Sequence, residues 1–193
     1  MAEVPSTRTL ALGSAAPHFV LSDAANAKVS LVDVGGPKGV VVAFVCNHCP
    51  FVVHLAKEIG KLADESSARG MGFVAINSND TSRYPADAPE KMPAFAEASG
   101  WHFPYLVDAD QTVAHAYFAA CTPDFYVFDG ELRLTYCGQF DSSRPGNGKP
   151  VTGEDLRKAI DAAIAGRPPM AAQQPSTGCS IKWKPGNQPA YFG

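Results

Sequence analysis

The chain has no surplus of either charge. Its 193 residues carry 16 Lys and Arg against 19 Asp and Glu, a formal net charge of −3. No basic stripe for nucleic acid or an anionic membrane is therefore expected. No apolar stretch is long enough to span a bilayer. Residues 1–12 hold a single arginine and no extended apolar core, which speaks against a secretory leader and for a cytoplasmic protein. Cysteine is scarce and odd in number: Cys46, Cys49, Cys121, Cys137 and Cys179. Such a count does not describe a structural disulfide framework, and in a reducing compartment a disulfide is usually transient and catalytic. No second Cys-x-x-Cys completes a zinc site, no internal repeat is visible, and no cofactor is expected.

What is present suits one globular domain. Apolar residues make up 46% of the chain and charged residues 18%. Residues 1–166 read as the domain, 13–34 as an extension with short strands at 17–21 and 29–32, and 167–193 as a proline- and glycine-rich tail that packs on the domain or stays mobile. A buried strand is expected at 39–45, an amphipathic helix at about 50–68 and a second buried strand at 71–76. Three prolines make 81–93 an irregular excursion. A helix at 93–99, a strand at 103–107 and a helix at 111–118 follow. A hairpin of 123–128 and 132–137 turns on Asp129-Gly130, and Thr152 is placed as N-cap of a last helix ending near Gly166. This order implies an α/β fold, a central mixed sheet flanked by helices.

The chemistry-bearing feature is Cys46-Asn47-His48-Cys49, where the buried strand opens into the helix. The first amides of a helix lack backbone partners and carry partial positive charge, so a thiolate there is stabilised. Cys46, before the helix and expected to be the more exposed, is assigned as the nucleophile. Cys49, one turn on, is assigned as the resolving thiol. An imidazole at His48 beside the Cys46 thiolate would favour the reduced form and make the disulfide more oxidising than that of thioredoxin, whose potential is about −270 mV.

A strand, a Cys-x-x-Cys opening a helix, and a distant Thr122-Pro123 before a hairpin resemble the thioredoxin superfamily. Ala16-Pro17-His18-Phe19-Val20-Leu21 resembles the extension of its peroxiredoxin and alkyl hydroperoxide reductase (AhpC/TSA) branch. Within that branch the chain resembles the peroxiredoxin-like redoxins through Cys46 to Pro50, Asn77-Ser78-Asn79-Asp80 with Arg83-Tyr84-Pro85, Ala120 to Phe125, Gly138 to Asp141 with Ser143-Arg144-Pro145, and Gly178 to Trp183. The resemblance implies a thioredoxin-like fold, a cis Pro123, and a Thr122 backbone facing Cys46 and open to an extended substrate. It also implies thiol–disulfide exchange, with peroxidase activity as a variant. Two departures stand out. Laid on the peroxiredoxin pattern Pro-x-x-x-Thr-x-x-Cys with Cys49 last, the chain has Val42 for the proline and Cys46 for the threonine. Thioredoxin's tryptophan before the first cysteine and its buried aspartate six residues before it are Val45 and Val40 here, so the proton acceptor for the buried thiol is missing or comes from elsewhere.

The expected partners are protein or small-molecule disulfides, peroxides in the peroxidase variant, and a thiol reductant, with neither nucleic acid nor membrane. The alternative is copper or zinc held by Cys46, Cys49 and either His48 or Cys121, since thiolates suit soft ions. A third reading is a binding module with a vestigial site. Cys121 and Cys137 read mainly as packing. Cys179 would resolve a sulfenic acid if the tail folds back over the site. Asp141 and Arg144 read as an ion pair that fixes a loop. His18, His54, His102 and His115 have no ligand spacing, and Asn77, Asn79 and Asp80 read as turn caps.

Overall fold

In the computed structural model, which describes residues 3–191, the chain starts with strand β1 (Glu3–Pro5). A hairpin of β2 (Val20–Asp23) and β3 (Lys28–Ser30) follows and runs directly into a one-turn helix, α1 (Leu31–Val34). The strand expected at 29–32 thus stops at Ser30. Its hydroxyl accepts from the Asp33 amide and the Asp33 carboxylate accepts from the Ser30 amide, a capping box that starts a helix instead.

Next come β4 (Gly39–Phe44) and α2 (Pro50–Ser67), close to the bounds expected for them. Every residue of β4 is buried, as befits a strand covered on both faces. Pro50 occupies the first turn of α2, where its missing N–H costs nothing. Leu55, Ile59 and Leu62 line the buried face of α2, each contributing roughly 1.5–3 kcal/mol by leaving water. Strand β5 (Gly72–Asn77) precedes the proline-rich excursion, which forms two short 3-10 turns at Pro85–Asp87 and Pro89–Lys91. Then follow α3 (Met92–Ser99), β6 (Tyr105–Val107), α4 (Thr112–Tyr117), β7 (Cys121–Thr122), β8 (Asp124–Asp129) and β9 (Leu134–Gly138). The β8–β9 turn is held by Asp129, whose carboxylate accepts from the amides of Glu131 and Arg133.

The last helix, α5 (Glu154–Ile164), is capped differently from expectation. Its N-cap is Gly153, at φ +65°, rather than Thr152. The Asp141 carboxylate takes the amides of both Thr152 and Gly153 at 2.7 Å. Asp141 is therefore committed to the helix start and does not pair with Arg144. The Arg144 guanidinium donates instead to the Asp141 and Ser143 carbonyls and to the Gln139 side chain. The tail is partly built into the fold: β10 (Thr177–Ser180) lies between β1 and β7.

The main sheet runs β3-β2-β6-β5-β4-β8-β9. The β4–β5 and β5–β6 pairs are parallel and the others antiparallel. One face packs Val41, Ala43, Phe125 and Val127 against α2 and α5. The other packs Val40, Val42 and Phe44 with Tyr117, Ile181 and Trp183. The fold is the mixed, two-sided sheet that the sequence implied. No helix among the described residues is long and apolar enough to cross a membrane.

Candidate active site

Pairing continues one residue past β4, with the Val45 amide on the Ile76 carbonyl, and the chain then turns through Cys46–Cys49. Cys49 is the N-cap residue of α2, and Cys46 lies one turn ahead of it. All five cysteines are free thiols. The Thr122–Pro123 bond is cis, in agreement with the resemblance. Thr122 lies against both sulfurs: the hydroxyl is 3.6 Å from Cys46 Sγ and the carbonyl 3.1 Å from Cys49 Sγ.

Neither sulfur is exposed. Cys46 is 1% accessible and Cys49 0%, so the expected difference in exposure is not there. Cys49 is lowered to about 5, mainly by the hydrogen bond from Cys46 against the opposing cost of burial. Thr122, the Cys179 thiol and the Val52 amide add to the lowering. The Thr122 carbonyl is the opposing contact, taking the proton when Cys49 is un-ionised. Cys46 is pushed well above the ordinary thiol value by its hydrogen bond to Cys49, by burial and by the charge of Asp87. The pair thus shares one proton, with the negative charge on Cys49.

Asp87 organises the Cys46 side, and no motif announced it. Its carboxylate is fully buried. One oxygen accepts from the Asn47 and His48 amides at 2.8 and 3.1 Å. The other meets His48 Nδ1 at 2.6 Å and accepts from the Asn79 amide group at 2.8 Å. Asn77 donates to the Asp87 carbonyl at 2.8 Å. Asn77 and Asn79 therefore do more than cap a turn: they seat the proline-rich excursion on the active-site loop. The available signal was an aspartate among prolines beside an Asn-x-Asn, and neither element is specific.

His48 Nδ1 lies 4.0 Å from Cys46 Sγ, and its ring stacks on Tyr84 at 5.9 Å between centroids. Lys182 from the tail sits 5.7 Å above the Tyr84 ring. Cys46, His48 and Asp87 present ligand atoms within 4.8 Å of one another. The sequence pointed to Cys46 and Cys49 with either His48 or Cys121, and in this group Asp87 stands in place of Cys49. A metal there would have to displace the short His48–Asp87 contact.

Cys179 stands opposite Thr122 in the β10–β7 pair and packs in the same cluster as Cys46 and Cys49. Cys121 and Cys137 are buried, and burial pushes both thiols up. Just past Pro123, Asp124 is fully buried with Tyr126 donating to Oδ2, and burial pushes it up to about 7.

A sequence profile of the AhpC/TSA family matches residues 12–137. A Mycobacterium tuberculosis protein provisionally named a peroxiredoxin is 30% identical over 132 residues, 67% of this chain and 79% of that protein. The thiol-disulfide oxidoreductase ResA of Geobacillus thermodenitrificans is 31% identical over 155 residues, 79% of this chain and 78% of ResA. The crystal structure of an uncharacterized conserved protein from Geobacillus kaustophilus superposes with a TM-score of 0.92 at 52% identity, covering 96% of this chain and 98% of that one. The fold alone recurs in the thioredoxin domain of a thiol-disulfide oxidoreductase from Bacteroides vulgatus, with a TM-score of 0.62 at 19% identity, over 81% of this chain and 99% of that domain.

Proposed function

Because the chain belongs to the AhpC/TSA family and has a thioredoxin-like fold, we propose that Cys46 and Cys49 form the dithiol–disulfide centre of a thiol-disulfide oxidoreductase. The observation that carries this is the placement of two buried thiols at the start of α2 against one residue, with the Thr122 hydroxyl 3.6 Å from Cys46 Sγ and the Thr122 carbonyl 3.1 Å from Cys49 Sγ. Cys46 hands its proton to Cys49 and attacks one sulfur of a substrate disulfide. The substrate S–S bond breaks, and the leaving thiolate collects the proton from Cys49. Cys49 then attacks the Cys46 sulfur, the second substrate thiolate leaves and is protonated by water, and the pair ends oxidised. Cys49 thereby fills the role of the proton acceptor for which Val40 offers no group.

His48 and Asp87 position the Cys46 side. Thr122 and Pro123 flank the sulfurs where an extended substrate would lie. Protein or small-molecule disulfides are the substrates in this reading, and a thiol reductant restores the dithiol. A thiol-dependent peroxidase reaction is a second reading, favoured by the lowered Cys49. There the Cys49 thiolate attacks a peroxide oxygen, the O–O bond breaks, the leaving hydroxide or alkoxide takes a proton from water, and the Cys46 thiol attacks the Cys49 sulfenic acid to form the disulfide with loss of water.

The test is mass spectrometry of trapped thiols after one equivalent of oxidised glutathione or hydrogen peroxide. A Cys46–Cys49 disulfide supports the pair, and its absence under both oxidants overturns it. Insulin reduction without peroxide consumption selects the first reading, and peroxide consumption with a thiol reductant the second. Stoichiometric zinc or copper in protein purified without chelator would favour metal binding at Cys46, His48 and Asp87.

A further inference from the structure

Two sulfurs suffice for the exchange above, yet a third is built against them. Strand β10 pairs antiparallel with β7, and Cys179 is the residue opposite Thr122. The approach is close enough to require a glycine next door: a Cβ on Gly178 would stand 2.1 Å from the Thr122 carbonyl oxygen. That same oxygen is the one 3.1 Å from Cys49 Sγ. Thr122 therefore meets Cys49 through its carbonyl and pairs with Cys179 across the β10–β7 ladder. The Cys179 side chain is 4% exposed and packs in the same buried cluster as Cys46 and Cys49, so its neighbours are the site and the core rather than solvent. Cys121, two residues from Pro123, turns its sulfur to the Pro123 carbonyl instead.

We propose that Cys179 is a third redox thiol that takes over Cys49 from the Cys46–Cys49 disulfide. The proposal rests on the redox reading of that pair. Cys179, as the thiolate, attacks the Cys49 sulfur. The Cys49–Cys179 bond forms, the Cys46–Cys49 bond breaks, and Cys46 leaves as a thiolate that takes up the proton given by Cys179. No electrons enter or leave, because one disulfide replaces another. The outcome frees Cys46 and ties the tail strand covalently to the start of α2.

The environment of Cys179 changes in the direction this step needs. In the reduced protein burial, and after it the hydrogen bond and charge of Cys49, push the Cys179 thiol up to about 12. Once Cys49 is in a disulfide it has no charge, so both of its contributions vanish. The opposing pull of Lys182 remains. Burial, the largest cause of the rise, remains as well, so oxidation of the pair eases ionisation of Cys179 by removing only the Cys49 share of it.

The experiment is disulfide mapping of reduced protein oxidised with one equivalent of diamide, quenched in acid and alkylated under denaturing conditions. In Cys46→Ser, a Cys49–Cys179 cross-link is expected as the main product, with Cys121 and Cys137 alkylated. The wild-type protein, whose folding is not in question, should give the same cross-linked peptides as a minor species beside Cys46–Cys49. Cys179→Ser should abolish them. Cys46–Cys49 forming in the wild type with no Cys49–Cys179 product in either protein would overturn the role of Cys179 alone. Neither disulfide forming would overturn the reading of the pair, and this proposal with it.

Discussion

The two sulfurs of the pair stand one helical turn apart but in opposite surroundings. Cys46 faces a polar cluster: the His48 ring, the buried Asp87 carboxylate behind it, and the Tyr84 ring stacked in front. Cys49 faces donors in the Val52 amide, the Thr122 side chain and the Cys46 and Cys179 thiols, set against one acceptor, the Thr122 carbonyl. An anion beside Cys46 disfavours a second anion there, whereas donors around Cys49 favour one. The lesson is that position in a Cys-x-x-Cys motif does not settle which sulfur holds the charge. The hydrogen bond between the two sulfurs does so together with groups brought in from distant segments.

The largest effect expected from breaking this asymmetry is chemical. Cys46→Ser and Cys49→Ser should each reduce insulin-reduction activity to background. Only Cys49→Ser should accumulate a mixed disulfide at Cys46 on exposure to oxidised glutathione, detectable as a mass increase. If Cys46→Ser were the variant that accumulated the adduct, the roles of the two sulfurs would be reversed.

Removing the carboxylate comes next. Asp87→Asn keeps an acceptor for the loop amides but turns an N–H group toward His48 or Asn79, which should lower unfolding stability by roughly 3 kcal/mol in denaturant titration. It should also bring the Cys46 thiol down, because a neighbouring negative charge is gone. The alkylation rate of Cys46 against pH, measured in the Cys49→Ser background, reads that shift. An unchanged profile would remove Asp87 from the account of the site.

The unmodified protein offers a gentler probe. Alkylation of the reduced pair across pH should show a first inflection near 5, where Cys49 loses its proton, and no second one until well above the usual thiol range. A single ordinary inflection near pH 8 or 9 would mean that the sulfurs do not share a proton.

The smallest effect concerns His48. Its ring favours a Cys46 thiolate, but Asp87 offsets much of the charge it could offer. The wild-type potential should lie above about −270 mV, and His48→Ala should lower it by about 30 mV, a tenfold change in the exchange equilibrium. Redox titration against glutathione measures both values. A rise on removing His48 would reverse the sign argued for the imidazole.

Much of the frame was legible because it is local. The apolar run of β4, Pro50 at the first turn of α2 and the stripe of Leu55, Ile59 and Leu62 each announce an element within a few residues. The Asp129-Gly130 turn did the same for β8 and β9. Misplacements came where a side chain from elsewhere took over a local role. Thr152 was a plausible cap, but Asp141 already held the amides that a cap would serve. The Ser30–Asp33 box stopped a strand that β-branched residues would otherwise have continued. Asp87 could not be singled out, because the partners that define it are scattered from Asn47 to Asn79.

By itself, the sequence determined the mixed sheet, the strand-to-helix junction and the presence of two thiols there. All three follow from hydrophobic periodicity, helix-start chemistry and spacing within a short segment. Only the tertiary structure decided that both sulfurs are buried, that Cys49 rather than Cys46 is the more acidic, and that Asp87 and Cys179 join them. Burial and charge balance at a point depend on every group within a few ångströms, and here Asp87, Thr122 and Cys179 lie tens of residues away along the chain.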